Sequence, residues 1–433
     1  MTKKVFMLRE TKPVLSFILI IITLVALAYG TAWAGLSFDP VGHPEPSSPM
    51  KLQVIQPSGH ILISTPNGYI KVYNAKKVAD GIGIDAEEGG ALGIHLCGNE
   101  VRFGLNADKT RLVALCSSIS SGGYSNDKDD MAKNNLSISL IDISNLSKST
   151  IIKTVHSGDF SGLLFKNLYE VSVSPNGKIV LAADKHGRLH QFDLNLKYIQ
   201  TIDINDSRSP SNIAWSSDGY TAYLPLTGGT ETVVKIKFGV STNAPGLNVS
   251  RQPKVAFVEE NAPLTVRNVA IYTIEKMNAT NETTMLALQK LGIMDILGAI
   301  GLLSGSVTPI TPDKIWDNKM IYEGDKQPYP NGPQPMDIKS HPTQKQFYIP
   351  NFKQGTVSVV DVSYKNHIPE LSLHQNIAVG CGTPSRVAFI DDGSYAFIAC
   401  NYNISTIDAQ KGLYLKRSAA ALVGPMSMEW VQQ

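Results

Sequence analysis

One phrase recurs along this 433-residue chain and restricts its folds more than any other feature. The cleanest copy runs Pro384-Ser385-Arg386-Val387-Ala388-Phe389, turns at Asp391-Asp392-Gly393 and continues Tyr395-Ala396-Phe397-Ile398-Ala399. A further run, Ile404 to Asp408, follows. Pro210 to Trp215 with Ser217-Asp218-Gly219 is a second copy, and Leu168 to Val173 with Ser174-Pro175-Asn176-Gly177 a third. Pro335 to Ser340 begins a fourth. The runs alternate or are rich in β-branched residues, and turn residues bound them, as strands require. Several strands per unit at a spacing of roughly 40 residues is the signature of propeller blades. One such unit cannot bury both faces alone, so the units must stack into a ring. The expected fold is all-β, a seven-bladed β-propeller.

Seven blade cores can be laid out, beginning at Leu52, Val101, Glu170, Asn212, Asn268, Asp337 and Pro384. The fifth is degenerate, with Asn268 to Ile274, Thr284 to Leu288 and Ile293 to Leu297 as its expected strands. Ser117 to Asn135 and Gly298 to Gln334 read as insertions. Pro425 to Trp430 resembles the start of one more blade, close to the end of the chain. This tail is expected to pair with N-terminal strands and close the ring, which removes exposed sheet edges. An eighth, composite blade is the alternative count. The propeller then occupies residues 50–433, after a Pro-rich lead at 35–49.

Residues 1–34 have a different character. Lys3, Lys4, Arg9 and Lys12 precede an apolar run from Val14 to Ala28, and Ala32-Trp33-Ala34 supplies small residues before Gly35. That is the layout of a secretory signal peptide. The alternative is an uncleaved anchor, a membrane tether through Val14–Ala34, which is long enough to span a bilayer. In either case the remainder is expected outside the cytoplasm, periplasmic or secreted. The formal charge is +2 and no Lys/Arg-rich block follows residue 12. That argues against a nucleic-acid partner.

The four cysteines suit an oxidising compartment. Cys97 and Cys116 share the spacing of Cys381 and Cys400, and the segments align without a gap, Arg102 with Arg386 and Asp108 with Asp392. Each pair brackets a hairpin, so disulfides Cys97–Cys116 and Cys381–Cys400 are expected. Four free buried cysteines are the alternative. The spacing lacks a CxxC pattern, which speaks against a metal site.

The phrase at 384–401, with Phe347-Tyr348-Ile349-Pro350-Asn351 and Gly355 to Asp361, resembles YVTN-type β-propeller repeats. The resemblance covers most of residues 50–430, clearly in four blades and loosely in three. That family spans cell-surface repeat proteins, lactonase-like enzymes and the haem d1 domain of cytochrome cd1 nitrite reductases. The resemblance therefore implies the fold and leaves the function open.

Aligning the copies singles out one position. About seven residues ahead of each first hairpin turn stand Lys51, Arg102, Glu170, Asn212, Asn268, Asp337 and Arg386. All are polar or charged, and each precedes an apolar residue. The first strand of a propeller blade lines the central channel, so these residues are expected to ring one mouth of it. Such a ring can orient a small polar or anionic ligand through the forked donors of arginine. The alternative is a self-satisfied network of ion pairs and waters. His186 and His190 could contribute to a metal site, but surface or loop histidines are the better expectation, and no metal ligand set is assigned. The oxygen-rich stretch Gly122 to Asp130 lacks the spacing of a calcium loop. There is no CxxCH sequence for covalent haem, and no GxSxG, HExxH or P-loop motif. The expectation is thus a binding or scaffold module for a protein or a small polar ligand, with no cofactor and no catalytic residue assigned. A lactonase-like hydrolase or a non-covalent tetrapyrrole binder is the alternative.

Overall fold

The computed structural model describes residues 58–65, 68–81, 96, 100–116, 137–156, 168–184, 187–204, 206, 208–210, 212–227, 232–239, 271–278, 285–291, 294–300, 306–316, 319–320, 334–366, 368–420, 425 and 427–432. All belong to the compact unit Gln56–Gln433. The signal-like segment, the Pro-rich lead, Lys51, Asn268, Cys97, His186 and the expected start of the first blade at Leu52 lie outside them. No helix among the described residues is long and apolar enough to cross a membrane.

The described strands form seven antiparallel sheets, one per blade, and the fold is a seven-bladed β-propeller. Blade 2 is representative: Val101–Leu105, Arg111–Cys116, Ser137–Asp142 and Thr150–His156 pair in sequence order. Blade 3 begins at Leu168–Val173, blade 6 at Lys339–Ser340 and blade 7 at Pro384–Phe389. The first strands of neighbouring blades touch one another, and outer strands such as Thr150–His156 and Leu413–Ala419 are largely exposed. Blade 1 is composite. Its inner strand is the C-terminal Met428–Val431, which pairs with His60–Ser64, and that strand pairs with Ile70–Asn74. The tail therefore closes the ring by completing blade 1, and no eighth sheet is formed among the described residues.

The period of two explains how each sheet serves two neighbours. On His60–Ser64, Ile61 and Ile63 pack with Phe397 and Tyr395 of blade 7, while Leu62 packs with Phe103 and Leu112 of blade 2. The same division repeats at every junction. The short helix Ala75–Ala79 fills the junction of blades 1 and 7 from outside. Asn74 caps it by accepting from the Lys77 N–H at 3.1 Å, and Val78 is buried in the shared core.

The fifth blade departs from expectation. Ile271–Asn278 is the outer strand of blade 4, paired with Thr232–Gly239. Blade 5 starts at Met285–Leu291 and continues through Met294–Ile300 and Ser306–Thr311, so part of the expected 298–334 insertion is strand. The histidine expectation also needs correction. His190 is fully buried on Arg188–Phe192, with Nδ1 3.0 Å from Thr201 Oγ1. His341 does lie in the turn after Lys339–Ser340, but buried; its Nδ1 accepts from the N–H groups of Thr343 and Gln344, and burial pushes its pKa down. Both sit on strands or turns whose apolar neighbours bury the ring.

The hairpin turns carry the Ser-x-Asx-Gly chemistry seen in the sequence. Ser216 Oγ donates to Asp218 at 2.5 Å, and Asp218 accepts from the Tyr220 N–H at 2.9 Å. Gly219 has φ +72, and a Cβ there would lie 2.7 Å from the side chain of Asn176 in blade 3. Asn176 in turn donates to the Asp218 carbonyl, tying the two turns. Left-handed backbone and close approach therefore both demand glycine. Gly219→Ala is expected to cost about 1–3 kcal/mol in chemical denaturation, against a near-neutral Gly177→Ala contact penalty and strain alone at that more open turn.

Candidate functional site

The inner strands bring seven charged side chains into one cluster around the channel. Arg102 of blade 2 is its centre. Nε donates to Glu100 at 2.7 Å and Nη1 to Glu170 of blade 3 at 2.7 Å. Glu100 and Arg102 lie two residues apart, so the strand period carries both toward the same side. Lys339 of blade 6 pairs with Glu429 of the closing strand at 2.5 Å, so this bond spans blade 7 on the channel side. Arg386 of blade 7 donates through Nη1 to the carbonyls of Met336 at 2.6 Å and Ser385 at 2.9 Å. It also feels the charges of Asp337, Arg102, Glu170 and Glu100. Three cations thus face four carboxylates, Glu100, Glu170, Asp337 and Glu429.

Burial sets the electrostatics. It pushes the Glu170 carboxyl up, against the pull of Arg102. It works against charge on Arg102 too, but Glu170 and Glu100 outweigh it and hold the guanidinium firmly protonated. Burial likewise opposes charge on Lys339, and Glu429 with Asp337 raises it above the ordinary lysine value. Arg386 is shifted down by burial, and Asp337 offsets part of that shift. About a fifth of the Arg102 side chain remains reachable by solvent. The cluster is therefore deep but not sealed.

Of the residues singled out in the sequence, Arg102, Glu170, Asp337 and Arg386 come together here. Asn212 does different work: its side-chain N–H2 donates to the Leu286 carbonyl at 2.8 Å and its oxygen accepts from the Leu286 N–H at 3.1 Å, tying blade 4 to blade 5. Asp337 combines two tasks. It accepts from the Val387 N–H of blade 7 at 3.0 Å and lies beside Arg386 and Lys339. Sequence reasoning missed Glu100, Lys339 and Glu429. The first two were legible as the residues two before Arg102 and two after Asp337. Glu429 was legible within the tail already read as the start of a blade. No group of three or more metal-ligating side chains occurs among the described residues.

Cys381 and Cys400 form a disulfide, with Cα atoms 6.4 Å apart. Cys116 is disulfide-bonded as well; Cys97, its expected partner, lies outside the described residues.

Comparison with known proteins adds the fold. No family model and no curated protein match the chain. Among solved structures it is similar to a protein from Lactobacillus plantarum, with TM-score 0.60 and 14% identity over 87% of this chain and 100% of that one. It is similar to the periplasmic gluconolactonase of Pseudomonas aeruginosa, with TM-score 0.59 and 13% identity over 86% and 99%. It is also similar to a dihydro-heme d1 dehydrogenase, with TM-score 0.51 and 12% identity over 89% and 78%. At these identities the likeness is one of fold.

The Arg102 triad yields a test with a defined sign. Removing one partner of a buried ion pair strands the other, a loss of about 3–5 kcal/mol. In Arg102→Met, Glu170 loses the cation that opposes its upward shift, so folding then favours its protonated form. The loss should accordingly be largest above neutral pH and shrink as pH falls toward 5. Urea denaturation of both proteins across that range is the measurement; a pH-independent difference contradicts the assignment.

Proposed function

We propose that this chain is an exported binding propeller that takes a small polar ligand with an anionic group at the mouth of its channel. One observation carries the proposal: guanidinium groups from two blades, Arg102 and Arg386, converge on one partly solvated, charge-rich cluster. An arginine fork donates paired hydrogen bonds to a carboxylate or phosphate, and low local dielectric strengthens them. Export is part of the proposal. The Cys381–Cys400 bond suits an oxidising compartment, and the signal-like residues 1–34 supply a route.

Gluconate is a suitable first probe, since the fold is shared with a periplasmic gluconolactonase, and inorganic phosphate a second. Calorimetry on the full chain should show saturable binding of one of them. Arg386→Lys keeps the charge and removes the fork, and should weaken binding about tenfold or more. Equal affinity in the variant, or binding of neither probe, counts against the proposal.

Lactone hydrolysis is the second reading, favoured by the raised pKa of Glu170 beside Arg102. A carboxylate so placed would take a proton from water attacking the ring carbonyl, while Arg102 faces the developing oxyanion. Acid release from glucono-1,5-lactone measures it. Glu170→Gln should then lower the rate about a hundredfold or more; a wild-type rate equal to spontaneous hydrolysis removes this reading.

A further inference from the structure

The two strands that carry the channel arginines both begin opposite a disulfide-bonded cysteine. Cys400 pairs with Pro384, two residues ahead of Arg386, and Cys116 pairs with Val101, one ahead of Arg102. Blades 3 and 6 use non-covalent ties at the equivalent strand end, and they hold a different segment. Asp184, opposite Leu168, accepts from the Arg188 N–H at 2.9 Å and from its Nε at 2.7 Å. Asn351, opposite Pro335, donates to Ser358 Oγ at 2.7 Å and Thr356 Oγ1 at 3.2 Å. Those ties secure the second strand to the third. The Cys381–Cys400 bond instead reaches back to the connection that leads into the first strand.

That connection sets the direction of Arg386. The ladder is interrupted between Pro384 and Arg386, where Ser385 Oγ donates to the Ala399 carbonyl at 3.1 Å. A bulge of this kind re-aims the side chain that follows it. Arg386 then donates to the Ser385 carbonyl itself, so its guanidinium rests on the bulged backbone. Upstream, Ser405 Oγ donates to the Val379 carbonyl at 2.6 Å and Arg417 donates to the Gly380 carbonyl at 2.7 Å. Between those anchors and the bulge stand Cys381 and the Thr383 hydroxyl, which accepts from the Asn401 N–H at 3.3 Å. The disulfide is the covalent point in this span, and Cys400 is fully buried.

We infer that the Cys381–Cys400 disulfide is a positioning device for Arg386, holding the bulged start of the strand so that the guanidinium is aimed into the channel cluster. Its functional meaning rests on the proposed channel site; its structural content does not. The fold of blade 7 also rests on the cores it shares with blades 1 and 6; the two cysteines lie in the second of these, among larger apolar side chains such as Tyr348, Val387, Phe389 and Ile398. Loss of the bond therefore costs aim before it costs the fold.

The test uses the full chain with Cys381→Ser and Cys400→Ser together, phenylglyoxal as an arginine-selective label, and peptide mass spectrometry. Local opening at the strand start should raise the labelling rate of Arg386 about tenfold at room temperature, with Arg188 of blade 3 unchanged and cooperative melting retained. An unchanged Arg386 rate overturns the inference. If that variant does not melt cooperatively, Cys381→Ala with Cys400→Val refills the core and is read the same way. Failure of both to fold also overturns the inference, because the bond is then needed for the fold itself. Gluconate affinity, measured in parallel, separates the two proposals. Faster Arg386 labelling with unchanged affinity upholds the positioning role and counts against the channel site.

Discussion

Burial of apolar side chains between adjacent blades is the interaction on which everything else in this propeller depends. A four-stranded sheet with apolar residues on both faces has no stable existence alone. Here each sheet divides its alternating side chains between two neighbours, as His60–Ser64 does with Ile61 and Ile63 on one side and Leu62 on the other. The arrangement is complete only when blade 7 meets blade 1, and that junction is made from opposite ends of the described chain, Phe397 and Met428 packing with Ile61 and Tyr73. Pairing of Met428–Val431 with His60–Ser64 then supplies backbone partners that an open edge would lack.

Closure in turn creates the charged channel. Inner strands from different blades are forced side by side, and their polar side chains face a confined space. Charges persist in such a place only when paired. Glu100, Arg102 and Glu170 satisfy one another across blades 2 and 3, and Lys339 and Glu429 across blades 6 and 1. The cluster thus serves both as an inter-blade tie and as a concentration of oriented donors and acceptors. On the proposed function, structural pairing and ligand recognition would draw on the same groups, and a ligand would bind by exchanging partners within the cluster rather than by meeting vacant ones.

Three blades were plain in the sequence because Asx-Gly turns punctuate them, at Asn176-Gly177, Asp218-Gly219 and Asp392-Gly393, where glycine takes positive φ. Blade 5 was misread because that punctuation is missing. Its first hairpin joins Leu291 to Met294, with no Asx-Gly pair between them. The outer strand Ile271–Asn278 alternates like an inner one, so it was placed one blade too late. Strand pattern records which faces are buried, not which position within a sheet a strand occupies. The disulfide between Cys381 and Cys400 was readable because equal spacing across a hairpin is a local property.

By itself the sequence determined the repeat and the polar character of the inner position, and it pointed to seven blades closed by the tail while leaving an eighth open, since all follow from period, turn chemistry and local alignment. Only the tertiary structure decided which polar residues meet. Asn212 turns to the backbone of Leu286, while Glu100, Lys339 and Glu429 join the arginines. Those meetings depend on how far each inner strand is staggered against the next. Stagger is set by packing between blades, among residues far apart in the chain, and no local pattern encodes it.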